Sequence, residues 1–494
     1  MTTIRLDRRQ YRDKVYACWL GKTIGGTLGA PHECKPYALN LTYYTPVPDA
    51  PLPNDDLDFQ LVWLRMLEEH GPAVSLPRLA EYWRRYLIAW PPGEYGFCAR
   101  NLQRGLLPPV SGWFENDWVD EMGSPIRSEI WACMAPANPQ RAAALAWMDS
   151  ALDHSGGEGM YGEMFWAAVQ SAAFVLDDPL ELIRIGLAMI PPSCRVARAI
   201  REVLFTWQHP GNWGGWGDAR HHVIREYGSQ HPCHAVQNIA FTVIGLLYGT
   251  DFSSRLLNAV NCGFDTDCTG ATLGALLGIM QGTAGIPAHW QAPIGTSIVL
   301  CSATVDCGLP KSIDELTERT VAMAERFAAA DTGVHFGDGT ILPAELGVQL
   351  MQAEEARRAL AQDLRTAVMV DRDLEITWHY ESDPVIRPGV PQRAVVTCRQ
   401  AGQPVDATIT LTAPTGWQVT SYGDGAFVLT APTVEEQNTI EVVVSHAGEV
   451  YHAHALLLSP QAADGYPAGE AAGNFCPQCT GRGGWCLCPK TAVL

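Results

Sequence analysis

Gly263-Phe264-Asp265-Thr266-Asp267-Cys268-Thr269-Gly270 runs directly into Ala271-Thr272-Leu273-Gly274-Ala275-Leu276-Leu277-Gly278. The second half is built from small and apolar residues, so a helix there can lie very close to its neighbours. The acidic residues before it are therefore held at the edge of a packed core. Aspartates two apart in a turn can both point at one ion. A second acidic segment, Pro53-Asn54-Asp55-Asp56-Leu57-Asp58, stands where another helix begins. Leu57, Leu61, Leu64 and Leu67 recur there at helical spacing, and Val62 and Met66 widen the stripe. If the two segments meet, several carboxylates share one small space. Without a cation their repulsion raises their pKa values, and all-oxygen donors favour Mg²⁺, Mn²⁺ or Ca²⁺ over zinc. Each segment alone also reads as a helix cap or an acidic turn.

The rest of the 494-residue chain sets the frame. Apolar residues make up 47% and charged residues 18%, a composition able to bury a large core. The net charge of −19 repels a phosphate backbone, which argues against general nucleic-acid binding but not against a small phosphorylated ligand in one pocket. Residues 1–20 scatter charges such as Arg5, Asp7, Arg8 and Arg9 through the only candidate leader, and no long apolar run predicts a membrane span. Most of the 15 cysteines sit among apolar neighbours, as Cys18 and Cys133 do, and read as buried free thiols in a reducing cytoplasm.

Helical periodicity dominates residues 1–370. Ser312 and Glu315 fit a capping box opening a helix through Met323, and Pro343 is placed to start another helix running to about Thr366. The pattern then changes. Ala407, Ile409 and Leu411 alternate with Thr408, Thr410 and Thr412, while Ile440, Val442 and Val444 mark another strand. Gly423-Asp424-Gly425 and Ala447-Gly448 supply turns. The expected organisation is a mainly α chain: a helical catalytic domain (1–370), a small β-sandwich (371–460) and a Gly/Cys-rich tail (461–494). No catalytic set is visible in the β region.

Taken together, these motifs resemble the ADP-ribosylglycohydrolase family, of the dinitrogenase-reductase-activating glycohydrolase type. Gly21-Lys22-Thr23-Ile24-Gly25-Gly26-Thr27-Leu28-Gly29-Ala30-Pro31-His32-Glu33 resembles its opening motif, Asn54-Asp55-Asp56 its Thr-Asp-Asp metal motif, and Asp265-Thr266-Asp267 its C-terminal metal motif. Met122-Gly123-Ser124-Pro125-Ile126-Arg127 resembles its phosphate loop, and His154 with Gly157 and Gly159 its His/Gly segment. The motifs occur in the family's order over about 12–330. The resemblance implies an all-α fold, a site for two Mg²⁺ or Mn²⁺ ions, and release of ADP-ribose from an N- or O-ribosyl bond on a small molecule or protein. It implies metal ligation by Asn54, Asp55, Asp56, Asp265, Asp267 and Cys268, with Glu33, Asp56 and Asp265 as catalytic residues. Gly123, Ser124, Arg127, His154, Gly157 and Gly159 become substrate-binding candidates. The chain departs from the family at Asn54 (for Thr), Cys268 (for a Thr or Ser hydroxyl) and Gly26 (for Asp), which fits a divergent subfamily because the four core aspartates remain.

Other readings stay open. The same fold could hydrolyse another nucleoside-like or glycosidic substrate, or serve as a non-catalytic binding protein. His234 opens an apolar helix and reads first as structural, and Trp213 and Trp216 read first as packing. Arg127 could pair with a phosphate or with a buried carboxylate. In the tail, Cys476, Cys479, Cys486 and Cys488 are compatible with a structural Zn²⁺ site or with free thiols.

Overall fold

The computed structural model describes residues 3–463 apart from 88, 90–92 and 331–332. The helices over residues 8–29 and 266–281 make its most extensive helix–helix contact. Helix α1 (Arg8–Gly29) is capped by Asp7, whose carboxylate accepts the amides of Arg9 and Gln10. Helix α2 (Asp55–His70) carries the acidic segment and buries the whole Leu57–Leu67 stripe. Helices α3 (Pro139–Asp153), α4 (Glu158–Ala173) and α5 (Ala235–Tyr248) pack around them with α6 (Thr266–Gln281) and α7 (Ile313–Ala330). Helix α6 is the small-residue helix, and every residue from Thr266 to Met280 is buried.

Glycines set how closely α1 and α6 approach. A Cβ at Gly21 would overlap the Gly274 carbonyl, one at Gly25 the Gly270 carbonyl, and one at Gly29 the backbone of Thr266. The reverse also holds, with Gly274 against Gly21 and Gly278 against Ala17. The spacing Gly21, Gly25, Gly29 on one helix faces Gly270, Gly274, Gly278 on the other. Backbone therefore lies against backbone along both helices, a distance only glycine permits. No helix is long and apolar enough to cross a membrane among the described residues.

Two antiparallel sheets follow. Strands β1 (Ile4–Asp7) and β2 (Val334–Gly337) first form a short parallel pair in the helical region. One sheet then runs β3 (Thr366–Asp371), β4 (Leu374–Tyr380), β5 (Gln392–Gln400), β9 (Ala426–Thr430), β8 (Gln418–Gly423), with β6 (Gln403–Pro404) on β5. The other is β11 (Glu449–Leu458), β10 (Gln437–His446), β7 (Thr408–Thr412). Ile376, Trp378, Leu429, Ile440, Val442 and Val444 share one buried cluster between them. Leu106, Val110 and Phe114 of the helical region enter that same cluster, and Trp113 Nε1 donates to the Leu364 carbonyl at 2.8 Å. The mainly α architecture with C-terminal β sheets is thus as the periodicity predicts.

Two local expectations change. The helix expected from Pro343 is two short ones, Leu346–Leu350 and Glu354–Leu360, and the chain is already in β3 at Thr366. The second helix begins where Gln140, on α3, accepts the Glu355 amide at 3.2 Å, a cap supplied by tertiary contact. The box at Ser312 is half formed: Ser312 Oγ accepts the Glu315 amide, but Glu315 turns to the Lys311 amide. Trp213 lies against His222, with ring centres 4.8 Å apart. The four tail cysteines (Cys476, Cys479, Cys486, Cys488) lie outside the described residues, and all the described cysteines are free thiols.

Candidate functional site

The turn before α6 is shaped by Gly263 (φ 76°) and Phe264 (φ 64°). Phe264 exchanges two backbone hydrogen bonds with the segment after α1: Cys34 N to Phe264 O at 2.8 Å, and Phe264 N to Lys35 O at 2.7 Å. This two-bond clasp brings Glu33 beside Asp265. At the start of α2, Asn54 Oδ1 accepts the Asp56 amide at 2.7 Å and so acts as the helix cap. Its amide nitrogen fills the space beside Gly26, where a Cβ would overlap it. A side chain at 26 would therefore require the Asn54 amide to turn aside.

The two acidic segments meet. Donor atoms of Asp56, Asp267 and Cys268 lie within 4.8 Å of one another, and so do those of Glu33, Cys233 and Asp265. Asp265 is 1% exposed, and neither of its carboxylate oxygens has a hydrogen-bond partner. Asp267 Oδ1 and Asp56 Oδ2 are likewise buried without one. Burial, reinforced by Asp267 and Glu33, pushes the Asp265 carboxyl well above the usual carboxylate range. Burial and the Asp55 charge push Asp267 up to about 6. Glu33 is raised by burial and then by Asp267 and Asp55. Asp55 itself accepts the Tyr95 hydroxyl at 2.9 Å. Oxygens buried in this way, short of hydrogen bonds and mutually repelling, could hold a cation. Asp55, Asp56, Asp265 and Asp267 converge here with Glu33 and Cys268.

The phosphate-loop and His/Gly candidates lie in a different environment. Arg127 is fully buried and spans two carboxylates, with both guanidinium ends 2.8 Å from Asp153 and Nη2 3.0 Å from Asp149. It also donates to the Gly123 carbonyl at 2.7 Å. Arg127 is thus committed to protein carboxylates, and its part is to hold the loop. Ser124 Oγ donates to Glu163 at 2.6 Å and is also buried. His154 Nδ1 lies 3.1 Å from Asp153. The room expected for a ligand beside Gly157 and Gly159 is filled by protein: the Val119 backbone abuts Gly157, and the Glu121 carbonyl and the His154 ring abut Gly159. Gly123 faces Tyr95, Glu94 and His154 side chains at 2.8–3.0 Å from a hypothetical Cβ. Of this group Gly123 alone borders side chains that reach the acidic cluster.

Three residues of the site escape sequence reasoning. Lys22, 1% exposed, donates to the Ile126 carbonyl at 2.9 Å and pairs with Glu129 at 3.0 Å and Asp56 at 3.9 Å. Its neighbours come from three segments, so no local pattern marks it. Glu94 has a buried, unpartnered Oε1, and burial together with Glu121, Asp55 and Glu33 raises its carboxyl well above the usual range. It follows a Pro/Gly stretch with no periodicity. Cys233 sits in a loop read for its histidines. The adjacent His234 is half a structural element, its backbone nitrogen-capping α5 and its Nε2 3.5 Å from Arg195.

Asp58, one turn into α2, is fully buried and accepts the Cys301 amide at 2.8 Å. Burial pushes its carboxyl up to about 7. The folded protein therefore holds this proton more tightly than the unfolded chain does. Stability from Asp58 falls as pH rises from about 4 to about 7, by a few kcal/mol, and then levels off. Asp58→Asn is expected to gain on the parent chain as pH is raised across that window. Urea unfolding at about pH 5 and about pH 8 checks it; an equal difference at both ends rules the account out.

A family model described as ADP-ribosylglycohydrolase matches residues 7–332. Among solved structures, a chain described as an ADP-ribosylglycohydrolase-related protein complex aligns with 65% of this chain and 99% of its own length, at 20% identity and a TM-score of 0.44. No curated protein matches the sequence.

Proposed function

The chain belongs to the ADP-ribosylglycohydrolase family, and from that premise we propose that it is a metal-dependent hydrolase of an ADP-ribosyl bond, acting at the acidic cluster between α1, α2 and α6. The observation that carries this reading is Asp265: a buried carboxylate with both oxygens unpartnered, facing other carboxylates. A protein keeps such a group where a cation completes it. Asp55, Asp56, Asp265 and Asp267 would hold Mg²⁺ or Mn²⁺, with Asn54 and Cys268 beside them. A cation held by these residues would supply Lewis acidity toward the sugar and a lowered pKa for water.

The remaining chemistry belongs to the chain. Cleavage of a ribosyl bond builds positive character at the anomeric carbon, which this concentration of carboxylates favours. Glu33, the most exposed member of its group, is placed to take the proton of the attacking water on its carboxylate. Arg127 and Lys22 do not reach substrate in this scheme. They fix the Gly123 loop and the floor under Asp56. Compared with a non-catalytic use of the fold, hydrolysis is favoured because the four aspartates all remain and converge.

Calorimetric titration of ADP-ribose tests the proposal, first with Mn²⁺ or Mg²⁺ and then with chelator. The expected result is metal-dependent binding with Kd on the order of micromolar, about −8 kcal/mol. Metal binding without ADP-ribose binding would move the substrate to another nucleoside-like or glycosidic compound. Binding of neither would remove the catalytic reading.

A further inference from the structure

We infer that the metal centre is sulfur-assisted, with Cys233 and Cys268 each supplying one donor, so that it selects a softer transition dication such as Co²⁺, Fe²⁺ or Zn²⁺ over Mg²⁺. The inference rests on the metal reading above and concerns which ions that site takes.

Each acidic group contains one sulfur and two carboxylates, with donor atoms within 4.8 Å of one another. Two donors on one ion can be no further apart than about twice the bond length, roughly 4.0–4.6 Å for bonds of 2.0–2.3 Å. Both groups are therefore close to closing on a single ion with side-chain rotation alone. The buried oxygens of Asp265 and Asp267, without hydrogen-bond partners, favour a cation on their own account.

Both sulfurs are held in place. Cys268 follows Asp267 in the first turn of α6, and its Sγ lies 3.4 Å from Asp56 Oδ1. Burial and the surrounding aspartates hold its thiol protonated while no cation is near, so the thiolate that coordination requires forms only as a cation offsets those charges. Cys233 is fixed through its backbone. Its carbonyl accepts the Met122 amide at 2.8 Å. Asn238 Nδ2 donates to the carbonyls on either side, Pro232 at 2.7 Å and His234 at 3.0 Å, and Asn238 Oδ1 accepts the Asp265 amide at 3.3 Å. One side chain thus sets Cys233 and Asp265 in register. Neither thiol is in a disulfide. A buried cysteine that merely fills space sits among apolar groups; each of these faces two carboxylates.

Mg²⁺ demands oxygen ligands, whereas thiolate adds affinity for borderline and soft ions. The thiol proton leaves to solvent as the sulfur–metal bond forms.

The test is optical titration of the metal-freed, full-length chain with Co²⁺, in parallel with Cys233→Ser and Cys268→Ser. Thiolate ligation gives an intense near-ultraviolet sulfur-to-cobalt band. Each substitution is expected to remove part of that band and to weaken Zn²⁺ binding on the order of 10-fold or more without weakening Mg²⁺ binding, which the serine oxygen suits better than sulfur does. A band unaffected by both substitutions arises from the tail cysteines and overturns the proposal. A band unaffected by one overturns the assignment of that sulfur. Co²⁺ binding that depends on Asp265 but shows no such band refutes sulfur ligation while the metal site stands. Absence of any Asp265-dependent binding of Co²⁺, Mn²⁺ or Mg²⁺ removes the metal reading itself.

Discussion

Asp265→Ala is expected to lower hydrolysis by on the order of 10³-fold and, in the same preparation, to raise the stability of the metal-free protein. The two effects share one cause. Asp265 stands at the entrance to α6 without capping it, because its side chain accepts none of the helix amides. Both its oxygens are buried and unpaired, and Asp267, Glu33 and Glu94 all oppose its charge. In the absence of a cation the residue only destabilises, by about 1–3 kcal/mol for a buried polar group left unsatisfied. Removing it releases that strain. When metal is present the balance reverses. At 100 times its Kd a bound ion stabilises the folded parent by about 2.7 kcal/mol, and the variant gains none of this. Loss of the metal's several kcal/mol in the transition state corresponds to the predicted fall in rate. Thermal unfolding with and without Mn²⁺ should therefore show the curves of parent and variant crossing. A purely structural Asp265 would give the opposite pattern: lower stability in the variant under both conditions, and unchanged metal response.

That residue illustrates how far sequence reasoning reaches here. Asp265-Thr266-Asp267 and Asn54-Asp55-Asp56 are local patterns at helix starts, and the small-residue helix behind the first announces close packing. Each motif was legible on its own; that the two meet was implied only by the family resemblance, because spacing along the chain does not fix distance in space. The two-bond clasp between Cys34 and Phe264 was not legible, since it depends on left-handed backbone at Phe264 and Cys34, a conformation those residue types do not signal. Lys22, Glu94 and Cys233 were hidden for a related reason: each acquires its role from neighbours far away in the chain. Gly157 and Gly159 show the converse error. A glycine reports close approach by something, and sequence alone does not say whether that is ligand or main chain. In the β region the alternation of Ile440, Val442 and Val444 sufficed, because period two fixes which face is buried. The β1–β2 pair, four residues each and far apart in sequence, offered no such period.

The same glycines give the largest expected loss of stability, in Gly274→Ala. Gly274 lies midway along α6, directly against the backbone of Gly21, and its added Cβ would overlap a main-chain carbonyl that cannot rotate aside. In an isolated helix the change would help, since alanine is the better helix former by about 1 kcal/mol. Here relief requires α1 and α6 to move apart, which loosens every backbone contact from Ala17–Gly278 to Gly29–Thr266. Overpacking against side chains costs about 1–3 kcal/mol; against fixed backbone the cost should exceed that range, to about 4 kcal/mol or more. The movement also reaches the chemistry. Glu33 follows α1, Asp265 and Asp267 open α6, and the groups that would hold an ion span both helices. Gly274→Ala is thus expected to weaken Mn²⁺ binding although residue 274 is two turns from the nearest carboxylate of α6. Gly347→Ala, inside the helix Leu346–Leu350 with open space around its Cβ position, is the matched control and should leave Mn²⁺ binding unchanged and stability equal or up to about 1 kcal/mol higher. Urea unfolding together with Mn²⁺ calorimetry on both variants decides the matter. A Gly274→Ala protein as stable as the control would show that the two helices are not in backbone contact, and the placement of Glu33 against Asp265 would need another cause.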